Sequence, residues 1–381
     1  MKIGIFSAGG LAMTTVYRDA WTYEVGNEKS TNKLLAIKQS QSSAQPVRFN
    51  APAAYDRYDF SKEPSQNLHD LLRLEAEKIR DTYKKVRIYF SGGADSLLML
   101  KTFIENKISY DEIICLKCGI KDADYEIDKF AIPQLKSLNV PSRKIKISEP
   151  SLSFYRDYYN RSLTEDRIKT GSYTYTTHFR LHQAELFNEQ NFDPDIANLQ
   201  GFDKPKIIFV DGEWYTYFLD ISIEPFPHTI KFFSDNPELQ AKQAHLLYAV
   251  KDNWRIKKQT DIWNDQDLWN ESIGRKFNTE TPKKILFFNE HDNFIKSSDV
   301  KIFYQNLKEK KAIEWAVTNQ EPAMHGWLQR LQELSEYIPH GWWNNGNPQF
   351  GTIGIFSKFY GITTKSIKTV DQLFPNGFQN D

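Results

Sequence analysis

Cysteine is scarce: the 381 residues include two, Cys115 and Cys118. So few cannot form a disulfide framework, and a reducing, cytoplasmic setting is expected. An excess of charge of either sign is also missing, with 49 basic residues against 49 acidic. A balanced chain gives no electrostatic reason to expect DNA, RNA or a membrane surface as the main partner. No apolar run approaches the roughly 20 residues of a membrane-spanning helix. The Met1-Lys2 start lacks a signal-peptide pattern. Aromatics, by contrast, reach 14%, with nine tryptophans concentrated toward the C-terminal half. Large aromatic cores are the first explanation for them. The length allows two or three packed domains.

What is present is concentrated in one stretch. Val86-Arg87-Ile88-Tyr89-Phe90 reads as a buried strand, and Ser91-Gly92-Gly93-Ala94-Asp95-Ser96 as a tight turn. Leu97-Leu98-Met99-Leu100 continues a helix that starts inside that turn. Such a turn points backbone N–H groups at one spot beside the positive end of a helix dipole, which makes an anion site. Glycines at 92 and 93 permit unusual backbone angles and close approach of a phosphate. Ser91 and Ser96 can add hydroxyl donors, and Asp95 can cap the helix or hold magnesium. No lysine closes the turn, so it is not the phosphate loop of kinases and GTPases.

Around this motif the pattern predicts short strands and loops over residues 1–62, with strands at Lys2–Ser7, Thr15–Tyr23 and Leu34–Gln39. An amphipathic helix over Asn67–Lys85 leads into the 86–90 strand, and the helix after the turn runs to about Glu105. A second strand is expected at Ile113–Lys117, a helix interrupted near Pro133 over Asp122–Leu138, and a third strand at Lys144–Ile147. Residues 151–190 read as mostly helical, and Lys206–Val210 as a fourth strand ending at Asp211-Gly212. Alternating strands and helices predict an α/β fold, a doubly wound parallel sheet over residues 63–250 with ligands at the carboxyl ends of its strands. Residues 251–381 read as a mainly helical, aromatic-rich region. The pentamer Ile3-Gly4-Ile5-Phe6-Ser7 recurs at Ile353–Ser357, too short a match to define a repeat.

Ser91–Ser96 resembles the S-G-G-x-D-S loop of the ATP pyrophosphatases, which include asparagine, GMP and NAD synthetases, tRNA-thiolating enzymes and sulfate-activation reductases. The resemblance implies an adenine nucleotide alpha hydrolase-like fold, with ATP and magnesium as ligands and pyrophosphate and AMP as products. The cysteines discriminate among members. A four-cysteine zinc site, as in the 7-deazaguanine synthases, cannot form, and no cysteine follows Cys118 as the sulfate-activation reductases require. Cys115-Leu116-Lys117-Cys118 has C-x-x-C spacing, but Cys115 falls in an expected buried strand, where a core cysteine is the simpler reading.

Residues 86 to about 250 look most like the synthetase domain of asparagine synthetase. That resemblance implies nucleotide contacts from Ser91, Gly92, Gly93, Ala94, Asp95, Ser96, Lys117, Asp211 and Gly212, with Asp95 and Asp211 as magnesium ligands. It also nominates Lys242, on a helix opened by Asp235-Asn236-Pro237, to act with Asp95 in catalysis. The chain departs from the family at Trp214-Tyr215, which stand where an acidic pair is expected. Lys2-Ile3-Gly4 replaces the nucleophilic cysteine of a glutaminase half.

The activity implied is adenylation of a small-molecule substrate, a carboxylate in the first instance, followed by transfer to an amine. That amine would be ammonia, a primary amine, or one supplied by a separate protein. Two alternatives stay open: a nucleotide- or tRNA-modifying adenylating enzyme, disfavoured by the neutral charge, and a nucleotide-binding protein without turnover. His178 and His182 share a helical face and read as ordinary partly buried histidines. Gly341–Gly346 reads as an aromatic packing loop.

Overall fold

The computed structural model describes residues 21–31, 36, 39–40, 42–117, 124–149, 193–201, 205–218, 220, 229–249, 342–343 and 353–374. Within these the chain is an α/β protein. Its centre is a five-stranded sheet ordered β10-β7-β4-β5-β6, every pairing parallel. The strands are β4 (Lys85–Tyr89), β5 (Glu112–Leu116), β6 (Ile145–Ser148), β7 (Ile196–Gln200) and β10 (Ile230–Lys231).

α2 (Leu68–Thr82) precedes β4 and begins where Asn67 accepts the Asp70 N–H at 2.9 Å. It buries Leu68, Leu71, Leu72, Ala76 and Ile79 along one face. α3 (Ala94–Glu105) links β4 to β5. A π-helical turn at Ile127–Ala131 runs into α4 (Ile132–Ser137), with Pro133 in the first turn, where its missing N–H costs nothing. This is the interruption expected near Pro133. α2, α3 and α4 share one core with Val86, Ile88, Phe90, Ile113, Ala197 and Leu199, alternate residues of three strands.

The opposite face of the sheet is polar toward the amino ends of the strands. There Glu112 accepts from Arg87 Nε at 2.7 Å, Lys85 Nζ at 2.9 Å, and Lys146. Burial alone would raise the Glu112 pKa, but these three cations outweigh it and hold it down at about 2. A carboxyl depressed in the folded state adds stability that is complete above its ordinary pKa and disappears as pH falls toward 2. Glu112→Gln is therefore expected to destabilise by on the order of 2–3 kcal/mol at pH 7. Urea melts of both proteins at pH 7, 4 and 2.5 should show the gap narrowing as pH falls; a constant gap would contradict the ion cluster.

The N-terminal region is β, as expected, but its strands are β1 (Thr22–Val25), β2 (Glu28–Ser30) and β3 (Val47–Asn50), an antiparallel sheet ordered β2-β1-β3. Thr15–Tyr23 overlaps β1 at Thr22 and Tyr23, and the expected strand at Lys2–Ser7 lies outside the described residues; Leu34–Gln39 was expected as a strand, but its described residues Ala36 and Gln39 are helical. A short helix α1 (Ala53–Arg57) follows. This sheet packs an aromatic core in which Trp21 meets Phe49 at 5.3 Å and Phe218 at 4.9 Å between ring centroids. Polar tips tie it to the segment after β10: Tyr55 donates to Ser234 O at 2.6 Å and Trp21 Nε1 to Asp235 Oδ1 at 2.9 Å. Part of the aromatic content thus packs as core.

Two expectations fail in the C-terminal half. Lys206–Val210 is a strand, β8, but does not join the parallel sheet. It forms a hairpin with β9 (Glu213–Tyr217), inside an antiparallel sheet ordered β14-β13-β9-β8. β13 (Phe359–Gly361) and β14 (Ile367–Lys368) complete that sheet, and α6 (Val370–Leu373) follows. β11 (Trp342–Trp343) pairs with β12 (Ile353–Gly354). The described residues beyond 251 carry short strands and one short helix, and their sheet crosses the boundary expected at 250; the rest of the region expected to be helical lies outside the described residues. The reason is pairing: β9 lacks a second partner until Tyr360 and Gly361 supply one. α5 (Pro237–Ala249) matches the helix expected after Ser234-Asp235-Asn236.

Candidate functional site

In the central sheet the strand order reverses between β4 and its neighbours: chain order runs β4, β5, β6 outward on one side and β7, β10 on the other. Open α/β sheets bind ligands at such a switch point, outside the carboxyl ends of the strands. Two segments emerge there, Ser91–Ser96 after β4 and Gly201 after β7.

The loop after β4 has a defined internal architecture. Phe90 N–H still donates to Ile114 O at 2.9 Å, so the sheet holds the loop at its root. Gly92 then takes φ +75°, where a Cβ is strained. A Cβ there would also sit 2.8 Å from Ala131 N and 2.9 Å from Ala131 Cα. Gln134 Nε2 donates to Gly92 O at 3.2 Å, which pins the turn to α4. Gly93, in extended conformation, is the N-cap of α3. Leu97 N–H makes the first helical bond, to Gly93 O at 2.8 Å, so the amides of Ala94, Asp95 and Ser96 form the helix's positive first turn.

Some expected roles change. Ser96 is buried, and its hydroxyl donates to Gly93 O at 3.1 Å while accepting the Ser91 N–H at 3.3 Å. It braces the loop from inside. The Ser91 hydroxyl lies 3.4 Å from both Ser96 Oγ and Gly93 N. Asp95 is a first-turn residue, not the cap, and is partly exposed.

Gly201 is a site residue that the sequence reading missed. A Cβ on it would lie 2.9 Å from Asp95 C, 3.0 Å from Asp95 O and 3.0 Å from Ser96 N. Only glycine lets the end of β7 approach the first turn of α3 so closely. The available signal was turn residues at Asp193-Pro194-Asp195, a short alternating stretch, then glycine.

Asp211 and Gly212 lie outside the parallel sheet. They have φ values of +50° and +86° and form the exposed two-residue turn between β8 and β9. Two consecutive positive angles match the primed hairpin turns favoured by Asp-Gly. Asp211 and Gly212 therefore do not stand at the carboxyl end of a parallel-sheet strand, where they were expected. Trp214, on β9, packs against Phe209 at 5.3 Å and Tyr248 at 5.9 Å.

Lys117 does lie at the carboxyl end of β5, but its ammonium is held by Asp128 at 2.9 Å. That hydrogen bond raises its pKa, with burial opposing and Asp124 and Glu149 adding to the rise. Lys242 donates to Glu63 Oε1 at 2.5 Å and to Pro64 O at 3.2 Å, tying α5 to the chain ahead of α2. The loop is in neither contact. The Cys115 thiol is buried and pushed up to about 12 by burial, which makes it an inert core residue. Cys118, His178, His182 and Gly341 lie outside the described residues. Among the described residues no group of three or more His, Cys, Asp or Glu side chains could hold a metal ion. None of their helices is long and apolar enough to cross a membrane.

Comparisons with protein-family models, with curated proteins and with solved structures gave no match.

Proposed function

We propose that the chain is an ATP-dependent, AMP- and pyrophosphate-forming ligase of the ATP pyrophosphatase type, built on an adenine nucleotide alpha hydrolase-like, doubly wound sheet. The observation that carries the reading is the pairing of the Ser91–Ser96 turn with Gly201 across the switch point of a 3-2-1-4-5 parallel sheet. The turn suits a diphosphate because three first-turn amides supply fixed dipoles beside the positive end of a helix.

In this reading an acid substrate's carboxylate oxygen attacks the α-phosphorus of ATP. The bond to the bridging oxygen breaks, pyrophosphate leaves with that oxygen and its charge, and an amine then displaces AMP from the acyl-adenylate. The amides of Ala94, Asp95 and Ser96 stabilise the departing charge, and such prearranged donors are each worth about 10²–10³ in rate. Magnesium fits modestly: Asp95 offers one carboxylate, and this ion is commonly held by one or two carboxylates plus the phosphates. Bound there, it would add positive charge to the leaving group. ATP, magnesium, an acid and an amine donor are the expected partners.

Incubation with α-labelled ATP, magnesium and panels of acids and amines should release AMP and pyrophosphate in equal amounts. Product ADP would exclude the mechanism. AMP release that requires RNA would favour a base-modifying adenylating enzyme.

A further inference from the structure

One residue before Gly201, the side chain of Gln200 is 3% exposed, and neither its Oε1 nor its Nε2 has a hydrogen-bond partner. A buried amide carries an acceptor and two donors, and leaving such groups unmet is costly in a native fold. Its registered neighbour on β10 is Lys231, so the two side chains stand on the same face of adjacent strands. Lys231 is also 3% exposed, and its ammonium donates to the Thr229 hydroxyl at 3.0 Å. Asp235 is the nearby carboxylate. Its Oδ1 is taken by Trp21 Nε1 and its Oδ2 by the backbone N–H of Lys231. Among the described residues no ion pair to the Lys231 ammonium forms. Burial pushes the Lys231 pKa down, with the Asp235 charge opposing.

Among the described residues the Lys231 ammonium has a neutral hydrogen-bond partner and no ion pair, and beside an unpartnered amide it suits a further anion. We propose that Gln200 and Lys231 seat the carboxylate of the acid substrate. This inference rests on the adenylation reading above and deepens it. The Lys231 ammonium balances the carboxylate's charge and Gln200 Nε2 donates to one of its oxygens. Gln200 Oε1 then takes a hydrogen from the substrate, which selects acids bearing an N–H or O–H close to the carboxylate. Gln200 closes β7 at the carboxyl edge of the sheet, the edge from which the loop after β4 also emerges.

The test uses glycolate as a minimal acid with a neighbouring hydroxyl, acetate as the acid without it, and chloride at matched ionic strength. Thermal melts of the full chain in 50 mM glycolate should rise by about 2–4 °C over chloride, and by less in acetate. Lys231→Met and Gln200→Leu should each lose most of that rise while retaining pyrophosphate binding in magnesium. Without added acid Gln200→Leu should melt at or above wild type, because it removes unmet polar atoms; rescue by Gln200→Asn should be partial at best. A drop of more than about 2 °C in Gln200→Leu would make Gln200 a structural partner and overturn the proposal. So would wild type without a glycolate effect, or both variants keeping it. If wild type responds to glycolate but makes no AMP with any acid, the adenylation reading fails and the anion seat stands.

Discussion

Gly92→Ala is expected to unfold the protein at a temperature about 10 °C lower and to weaken pyrophosphate binding more than tenfold. Two independent costs add. At φ +75° an alanine is strained by about 1–2 kcal/mol. Its Cβ would press to 2.8 Å on Ala131 N and 2.9 Å on Ala131 Cα, backbone atoms that cannot swing aside. Crowding of a packed interior adds about 1–3 kcal/mol. Relief requires the turn to lift off α4, which breaks the Gln134 bond to Gly92 O and misaims the amides. Gly212→Ala is the control: φ is +86° but nothing lies within 4 Å, so only strain remains. Scanning calorimetry and pyrophosphate titration read both. Equal melting of the two variants would show that Gly92 is not pressed against α4.

Asp95→Ala is expected to lower AMP formation at least about 10²-fold and to leave the protein folded. Its carboxylate lies in the first turn of α3, where a negative charge adds only about 0.3–1 kcal/mol to the helix. The larger loss falls on the reaction, because in the proposed mechanism Asp95 would share magnesium with the phosphates. Asp211→Ala, in the exposed hairpin turn, should keep turnover within about twofold. The two variants together test the two magnesium ligands that the family resemblance implies, Asp95 and Asp211. Full activity in Asp95→Ala would remove it from the mechanism. A loss in Asp211→Ala would bring the hairpin back to the site.

Part of the fold and site was legible because the information is local. A strand, two glycines and an apolar helix in immediate succession define the turn and its helix N-terminus wherever they are placed. Asn67 as cap and Pro133 in a first turn were readable for the same reason. The neighbour of β4 was not. Lys206–Val210 is the more apolar segment and was taken for the fourth strand, yet Asp-Gly after it is a hairpin signal, and its partner is β9. The true neighbour, Ile196–Gln200, alternates between a helix-covered face and a face carrying Asn198 and Gln200, so it lacks the continuous apolar run expected of a parallel strand. β13 and β14 escaped because each is short, and β13, on which β14 pairs, joins the sheet through β9, where Tyr360 lies opposite Thr216.

By itself the sequence determined the glycine turn, the flanking strand and helices, and the absence of a cysteine framework. These follow from backbone preference and composition over a few residues. Only the tertiary structure decided that Gly201 meets Asp95 and Ser96, that Asp211 stands apart, and that Gln200 lies beside Lys231. Strand pairing joins residues distant along the chain, and its register is set by burying one face of the whole sheet rather than by any single segment.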